Sequence, residues 1–364
     1  MSDTVHAGSN AMGTTPPLLE VTGLRTSFDT PKGRVLAVDG VDLTLERGKT
    51  LGLVGESGSG KSVLSRSIMR LLPRTGVASE GSVKIEGEEI TTKSPSELRA
   101  MWGPQLAMVF QDPMTSLNPV VKIGRQLTEH VRAHLGVDKA EAREMATAVL
   151  TEVGIPEPAR RLQEYPHQLS GGMRQRVVIA IALACGPRLL FADEPTTALD
   201  VTVQAQILDL LQREQSDRDM GMILVTHDLG VVAGRADEIA VMYAGRIVER
   251  APATALFNDM RMPYTEALFT SIPKLDYPSH TRLTAIGGRP PDLINPPKGC
   301  PFSPRCPYAK ERCHDEAPPM READEPGHTF ACWYPVGSAE WHDARARRRR
   351  EGTPVPVAVG EEPG

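Results

Sequence analysis

Leu51-Gly52-Leu53-Val54 runs directly into Gly55-Glu56-Ser57-Gly58-Ser59-Gly60-Lys61-Ser62, a short apolar strand followed by a glycine-rich turn and the start of a helix. The spacing is G-x-x-x-x-G-K-S, that of a phosphate-binding loop. Glycines let successive backbone N–H groups turn inward around phosphate oxygens, and the new helix adds its positive N-terminal end. Lys61 then reaches the terminal phosphates and Ser62 holds Mg²⁺. A bland Gly/Ser connector would not also bring the lysine, the hydroxyl and the preceding strand, so the stretch reads as a nucleotide site of an α/β protein. Gly48-Lys49-Thr50 just upstream closes no such loop, because Leu43 stands five residues before Gly48.

The totals limit what surrounds this loop. A chain of 364 residues leads us to expect a large core domain plus an appendage. Forty-one basic against 46 acidic residues leave a formal charge of −5, which excludes a global nucleic-acid signature. The longest apolar run, Val177 to Cys185, is nine residues, too short to span a membrane. The first twenty residues lack a basic start followed by an apolar core, which argues for the cytosol and for cysteines that are reduced or metal-bound.

Along the chain, residues 1–17 read as a flexible lead-in. Alternating apolar residues from Leu18 to Leu45 suit antiparallel strands ahead of the loop strand, with Phe28 on a turn in that hairpin region. Stacking of Phe28 on a nucleotide base and simple core packing are both open. The helix opened by Lys61 is expected to run through Leu71-Leu72 and stop at Pro73. Leu106-Ala107-Met108-Val109-Phe110-Gln111 is a buried strand ending in a polar side chain. From Thr115 to about Ala184 the pattern turns helical, an insertion into the α/β core. Its last part, Leu169-Ser170-Gly171-Gly172-Met173, puts two glycines behind a serine at a helix start, an exposed anion site. Each glycine weakens a helix by roughly 1 kcal/mol, which suggests close approach by a ligand.

Leu189-Leu190-Phe191-Ala192-Asp193-Glu194 is an apolar strand delivering two carboxylates at its C-terminal end, where ligands of parallel sheets sit. Asp193 suits a Mg²⁺ role, and Glu194 suits polarising a water for attack on the γ-phosphate. Ala198-Leu199-Asp200 follows, and Met222 to Thr226 is one more apolar strand, ending at His227. His227 would reach the same sheet edge as Lys61 and Glu194.

These pieces in this order resemble the ATP-binding-cassette (ABC) ATPase domain: GESGSGKS, Gln111 of the Q-loop, LSGGM, LLFADE, the ALD of the D-loop, and His227 of the switch loop. Within that superfamily, Phe110 to Pro119, Tyr165 to Arg176 and Thr197 to Ile207 are similar to the ATPases of bacterial oligopeptide/dipeptide permeases. The likeness covers about residues 18–335. It implies a P-loop core with an antiparallel β subdomain and a helical subdomain. The expected division is 1–17 as lead-in, 18–255 as ATPase domain (helical subdomain about 112–185), 256–335 as a small C-terminal domain, and 336–364 as a disordered tail.

The resemblance also implies roles. Gly55, Ser57, Gly58, Ser59, Gly60, Lys61 and Ser62 would cradle phosphate, with Ser62 and Gln111 on Mg²⁺ and Asp193 behind the metal. Glu194 would be the general base and His227 a γ-phosphate contact, while Phe28 stays a candidate base contact from its position in the chain alone. Ser170, Gly171, Gly172 and Asp200 would serve the ATP of a neighbouring subunit in a head-to-tail dimer. The implied partners are a second ATPase, identical or paralogous, two integral-membrane permease subunits and, indirectly, an extracytoplasmic binding protein. Nucleic acid is not among them. The implied place is the cytoplasmic face of the membrane, and the implied work is ATP-driven uptake of di- or oligopeptides or related solutes. A soluble ABC ATPase of DNA repair or translation is the alternative.

After Arg250 the composition shifts, with 15 of the 31 prolines in residues 252–335. Four of the five cysteines fall there, Cys300, Cys306, Cys313 and Cys332, spaced x5, x6 and x18. Clustered cysteines in a presumed cytosolic chain favour a metal site over disulfides. The spacing matches neither zinc ribbons nor the short ferredoxin run, so iron–sulfur, zinc and free thiols are all open from the residues. The resemblance implies a [4Fe–4S] cluster on these four. Cys185 reads as an inert residue of the apolar helix. Arg345 and Arg347 to Arg350 form a basic run, either solvated or drawn to anionic lipid.

Overall fold

The computed structural model describes residues 16–73, 75–197, 199–271 and 286–350. Residues 1–15 of the lead-in, Ala198 and residues 351–364 lie outside them.

Strands β1 (Leu19–Thr30) and β2 (Gly33–Leu45) form the expected antiparallel hairpin, with Leu19 opposite Leu45 and Thr30 opposite Gly33. Leu19 and Val21 of β1 are buried in step with the alternation of the sequence, and an irregularity in register between Val21 and Leu24 brings Leu24 into the core as well. Phe28 sits within β1, paired with Val35 and Val77, and not on a turn. Strand β3 (Thr50–Val54) is buried at all five positions, and the phosphate loop connects it to helix α1 (Lys61–Ile68). This helix ends four residues short of Leu72. Arg70 adopts a left-handed φ of 57° and the Leu71 N–H reaches back to the Arg66 carbonyl at 2.9 Å, which closes the last turn before Pro73 is reached. Strands β4 (Val77–Ile85) and β5 (Glu88–Glu89) complete a four-stranded sheet of order β2-β1-β4-β5.

Helix α2 (Pro95–Met101), closed by a Ser94/Glu97 capping box, leads to strand β6 (Leu106–Val109). The helical insertion follows: α3 (Pro113–Ser116), α4 (Ile123–Leu135), α5 (Lys139–Glu152), α6 (Pro158–Arg161), a 3-10 turn (Pro166–Gln168) and α7 (Gly171–Leu183). Ile123 and Leu127 of α4 pack with Ala146, Val149 and Leu150 of α5 in the same core as α7. Cys185 is buried just beyond the end of α7, not within it.

The chain then alternates through β7 (Leu189–Asp193), α8 (Val201–Asp217), β8 (Gly221–Thr226), α9 (Leu229–Val232) and β9 (Glu238–Tyr243). Strand β10 (Arg246–Pro252) turns back antiparallel on β9, and α10 (Ala253–Asn258), α11 (Pro263–Thr270), α12 (Glu311–Asp315), β11 (Arg321–Glu322), β12 (Thr329–Phe330) and α13 (Ala339–Arg350) follow. The second sheet has the order β11-β12-β10-β9-β3-β8-β7-β6, and β9, β3, β8, β7 and β6 run parallel. Gln111, Glu194, His227 and the phosphate loop therefore leave strand ends at one edge of one sheet.

The C-terminal region is less separate than its composition suggests. Strand β12 pairs with β10, placing Phe330 opposite Glu249, and Cys300, Phe302, Cys313, Phe330 and Cys332 share a hydrophobic core with α7 and β7. The described part of the expected loose tail is helical: α13 buries Trp341 and Arg345, and Arg345 lies 3.4 Å from the buried carboxylate of Glu266. An apolar ring and a paired charge are what dock it. Among the described residues no helix is long and apolar enough to cross a membrane.

Candidate nucleotide site

A cavity of about 770 Å³ opens over the phosphate loop, lined by Glu56, Ser57, Gly58, Gly60, Lys61 and Ser62, with Gln111, Glu194 and His227 on the far side. Two glycines have no substitute here. Gly60 has φ +107° and an added Cβ would lie 2.4 Å from the Ala37 carbonyl, and a Cβ on Gly55 would lie 2.2 Å from that of Met242. Ser59 is buried beneath the turn, its N–H on the Glu56 carbonyl at 3.2 Å. Lys61 Nζ donates to the carbonyls of Gly55 at 2.6 Å and Glu56 at 2.9 Å. Burial lowers the Lys61 pKa, against the opposing pull of Glu194, Asp193 and Glu56.

The carboxylates divide as their positions at the end of β7 suggest. Asp193 is fully buried, its Oδ1 accepts from Ser62 Oγ at 2.9 Å, and its Oδ2 has no partner. Burial raises its pKa. A buried, orphaned carboxylate oxygen beside the loop serine fits a hydrated Mg²⁺. Glu194 stands at the strained φ of +46°. Its Oε2 accepts from Gln111 Nε2 at 2.9 Å and Thr197 Oγ1 at 3.0 Å, and its Oε1 is 3.3 Å from His227 Nδ1. The three side chains aim one carboxylate at the mouth of the phosphate cradle.

Other expected residues fall elsewhere. Ser170 is the exposed N-cap of α7, its Oγ accepting from the Met173 N–H at 3.3 Å, and a Cβ on Gly172 would meet Val203 of α8 at 3.0 Å. Asp200 caps α8 through Val203 N–H at 3.0 Å. None of Ser170, Gly171, Gly172 and Asp200 lines the phosphate cavity, and neither does Phe28. The rest of the lining includes Ala37, which lies against the loop, and Leu268, Ser271, Ile286 and Pro290 of the C-terminal region. Nothing in the spacing of those residues announced them, since they are ordinary apolar positions brought in by the return of the chain.

Cys300, Cys306, Cys313 and Cys332 do come together, lining one cavity of about 20 Å³. That room suits about one water-sized guest. All four are free thiols, and burial pushes Cys300 and Cys306 up and Cys332 up to about 12. Among the described residues no group of three or more His, Cys, Asp or Glu is arranged to hold a metal ion. Four thiols are the donor set that such a group would use, but their arrangement does not support the expected cluster.

The family described as ABC transporter matches residues 38–197, and the C-terminal region of the oligopeptide/dipeptide transporters matches residues 248–313. The chain is 51% identical over 304 residues to the oligopeptide transport ATP-binding protein OppD of Bacillus subtilis, covering 83% of this chain and 85% of that one. It is 48% identical to the dipeptide transport ATP-binding protein DppD of the same organism, over 89% and 96% of the two chains. Among solved structures, the dimeric post-hydrolysis state of the ATP-binding cassette MJ0796, bound to ADP and Pi, superposes with a TM-score of 0.58 at 27% identity, covering 65% of this chain and 98% of that one. The phosphate cradle, the aimed carboxylate and these likenesses agree: the chain belongs to the ABC transporter ATPases, in the group that carries the oligopeptide/dipeptide transporter C-terminal region.

Proposed function

We propose that this chain hydrolyses ATP to drive import of oligopeptides or dipeptides, as one of a pair of ATPase subunits docked on integral-membrane permease subunits at the cytoplasmic face. The observation that carries the chemistry is Glu194, held by Gln111, Thr197 and His227 at the mouth of the phosphate loop. Gly58, Gly60 and Lys61 bind the phosphates, and Ser62 and Asp193 would hold Mg²⁺, which neutralises phosphate charge when bound. Glu194 accepts the proton of the attacking water as its oxygen closes on the γ-phosphate. His227 orients the carboxylate and reaches the outgoing phosphate.

The second half of the site is proposed to come from a neighbouring ATPase, whose Ser170-Gly171-Gly172 helix end caps the nucleotide. What supports this is the exposure of that helix end outside its own cavity, together with the dimeric state of the similar cassette. The relatives above are transport proteins, which favours an importer over a repair or translation ATPase. The four-cysteine cavity is proposed as the place of an iron–sulfur cluster, or of zinc, supported by its donor set. Anaerobic purification with metal analysis and a visible spectrum tests it, and colourless, metal-free protein would overturn it.

The function is tested by isolating the full chain from membranes with its bound proteins and measuring uptake of labelled dipeptides and oligopeptides. Permease subunits and a second ATPase should co-purify, and uptake should vanish in Lys61→Ala cells. Unaltered uptake in those cells, or isolation without any integral-membrane protein, would refute the reading.

A further inference from the structure

Glu56, the first variable residue of the phosphate loop, is gripped from two sides by the C-terminal region. Its carboxylate receives a two-pronged ion pair from Arg305, Nη1 to Oε2 at 2.6 Å and Nη2 to Oε1 at 2.9 Å. Its backbone N–H donates to the Tyr264 hydroxyl at 2.8 Å. Tyr264 is fully buried and the Arg305 side chain is only 3% exposed, so neither partner is free to wander. The guanidinium is itself fixed: Nε donates to the Gly287 carbonyl at 2.9 Å, Nη2 to that of Ile286 at 3.3 Å and Nη1 to the Tyr243 hydroxyl at 3.3 Å. The Tyr243, Tyr264 and Phe302 rings form a cluster with centroids 4.5 to 5.3 Å apart. Arg305 follows this cluster in the chain and directly precedes Cys306.

We propose that Arg305 and Tyr264 are positioning residues of the ATPase, which act through Glu56 to hold the phosphate loop in its ATP-receiving shape. The inference rests on the ATPase reading and adds to it that the C-terminal region sets nucleotide affinity. Two physical effects combine. A glycine-rich loop has much conformational freedom to lose when it closes on phosphate, and a loop already fixed loses less on binding. Glu56 also lines the cavity, where an uncompensated carboxylate would repel the polyphosphate, and the planar fork of Arg305 neutralises it in a geometry that an ammonium cannot reproduce. The same two carbonyls that hold Lys61, those of Gly55 and Glu56, belong to the gripped segment, so the clamp also sets where the lysine starts.

The test is calorimetric titration of the full chain with MgATP, with steady-state hydrolysis by the assembled transporter alongside. Arg305→Gln leaves the Glu56 charge bare and should weaken MgATP about tenfold. Adding Glu56→Gln should recover at least threefold of that loss, and Arg305→Lys should lie between parent and Arg305→Gln. In the assembled transporter Arg305→Gln should raise KM while kcat at saturating ATP stays within twofold. Parental affinity in Arg305→Gln, a double variant as weak as Arg305→Gln, or a fall in kcat at unchanged KM would each overturn the proposal. If Arg305→Gln does not fold, Tyr264→Phe decides, since it removes only the hydroxyl that receives the Glu56 N–H. A threefold or greater loss of MgATP affinity supports the clamp and parental affinity overturns it. Absence of hydrolysis by the assembled transporter carrying the parent chain would instead refute the ATPase reading.

Discussion

Replacement of Glu194 by glutamine separates holding ATP from hydrolysing it. The amide oxygen can still accept from Gln111 Nε2 and Thr197 Oγ1, which now lie 2.9 and 3.0 Å from Oε2, and the amide nitrogen then faces His227 Nδ1, 3.3 Å from Oε1. Each retained bond loses charge assistance, falling from about 1.5–3 to about 0.5–1.5 kcal/mol, and relief of repulsion toward Asp193 offsets part of this. Folding stability should therefore change by less than about 2 kcal/mol. The chemical step loses its proton acceptor, worth about 10²- to 10⁴-fold, or about 2.7–5.4 kcal/mol of barrier. Phosphate release by the assembled transporter at saturating MgATP reads the second quantity, and calorimetric MgATP titration reads the first half of the claim. The expected result is near-parental affinity with turnover reduced at least a hundredfold. Turnover within threefold of the parent would refute the assignment of Glu194 as base.

Gly60→Ala should abolish MgATP binding and lower the melting temperature, because φ is +107° and the new Cβ would lie 2.4 Å from the Ala37 carbonyl, whereas Gly58→Ala, at φ +80° with open space around it, should incur only backbone strain of about 1–3 kcal/mol. Equal losses in the two variants would contradict this. Glu249→Leu should cost at least about 3 kcal/mol in urea denaturation, since it orphans the Arg261 and Met262 N–H groups and the fully buried His328, now 2.6, 3.1 and 2.9 Å from the carboxylate. A loss below 1 kcal/mol would show that water replaces the carboxylate. The metal-free chain should lose stability as pH rises above about 9, because unfolded thiols ionise there while Cys185 (about 11) and Cys332 (about 12) stay protonated in the fold, so the unfolded state binds fewer protons. Denaturation midpoints at pH 7.5, 8.5 and 9.5 measure this, and a flat profile would mean that the thiols are not neutral in the folded chain.

Local spacing was enough wherever chemistry and backbone geometry share one short stretch. The loop from Gly55 to Ser62 needs its glycines within a single turn, and Asp193 and Glu194 need only the end of an apolar strand, so both were legible from residue type and order. Element ends were less so: α1 stops at Ile68 because Arg70 turns left-handed, a choice made by closure of the turn and not by the proline beyond it. Phe28 was ambiguous in the sequence because a strand aromatic serves a core or a ligand equally well; in the structure it pairs with Val35 and Val77 and is not among the residues lining the nucleotide cavity. The proline-rich region looked like an appendage because pairing of two residues of β12 with β10 leaves almost no periodic signal.

By itself, then, the amino-acid order pointed to a nucleoside-triphosphate site and to the side chains proposed to serve it. Tertiary structure alone decided which groups surround them. Gln111 meets Glu194 across 83 residues because β6 and β7 are neighbours in the sheet. Arg305 meets Glu56 across 249 residues because the C-terminal region packs back into the common core. Spacing records geometry only over a turn or a strand, and partners set by burial of distant apolar surface leave no mark at that range.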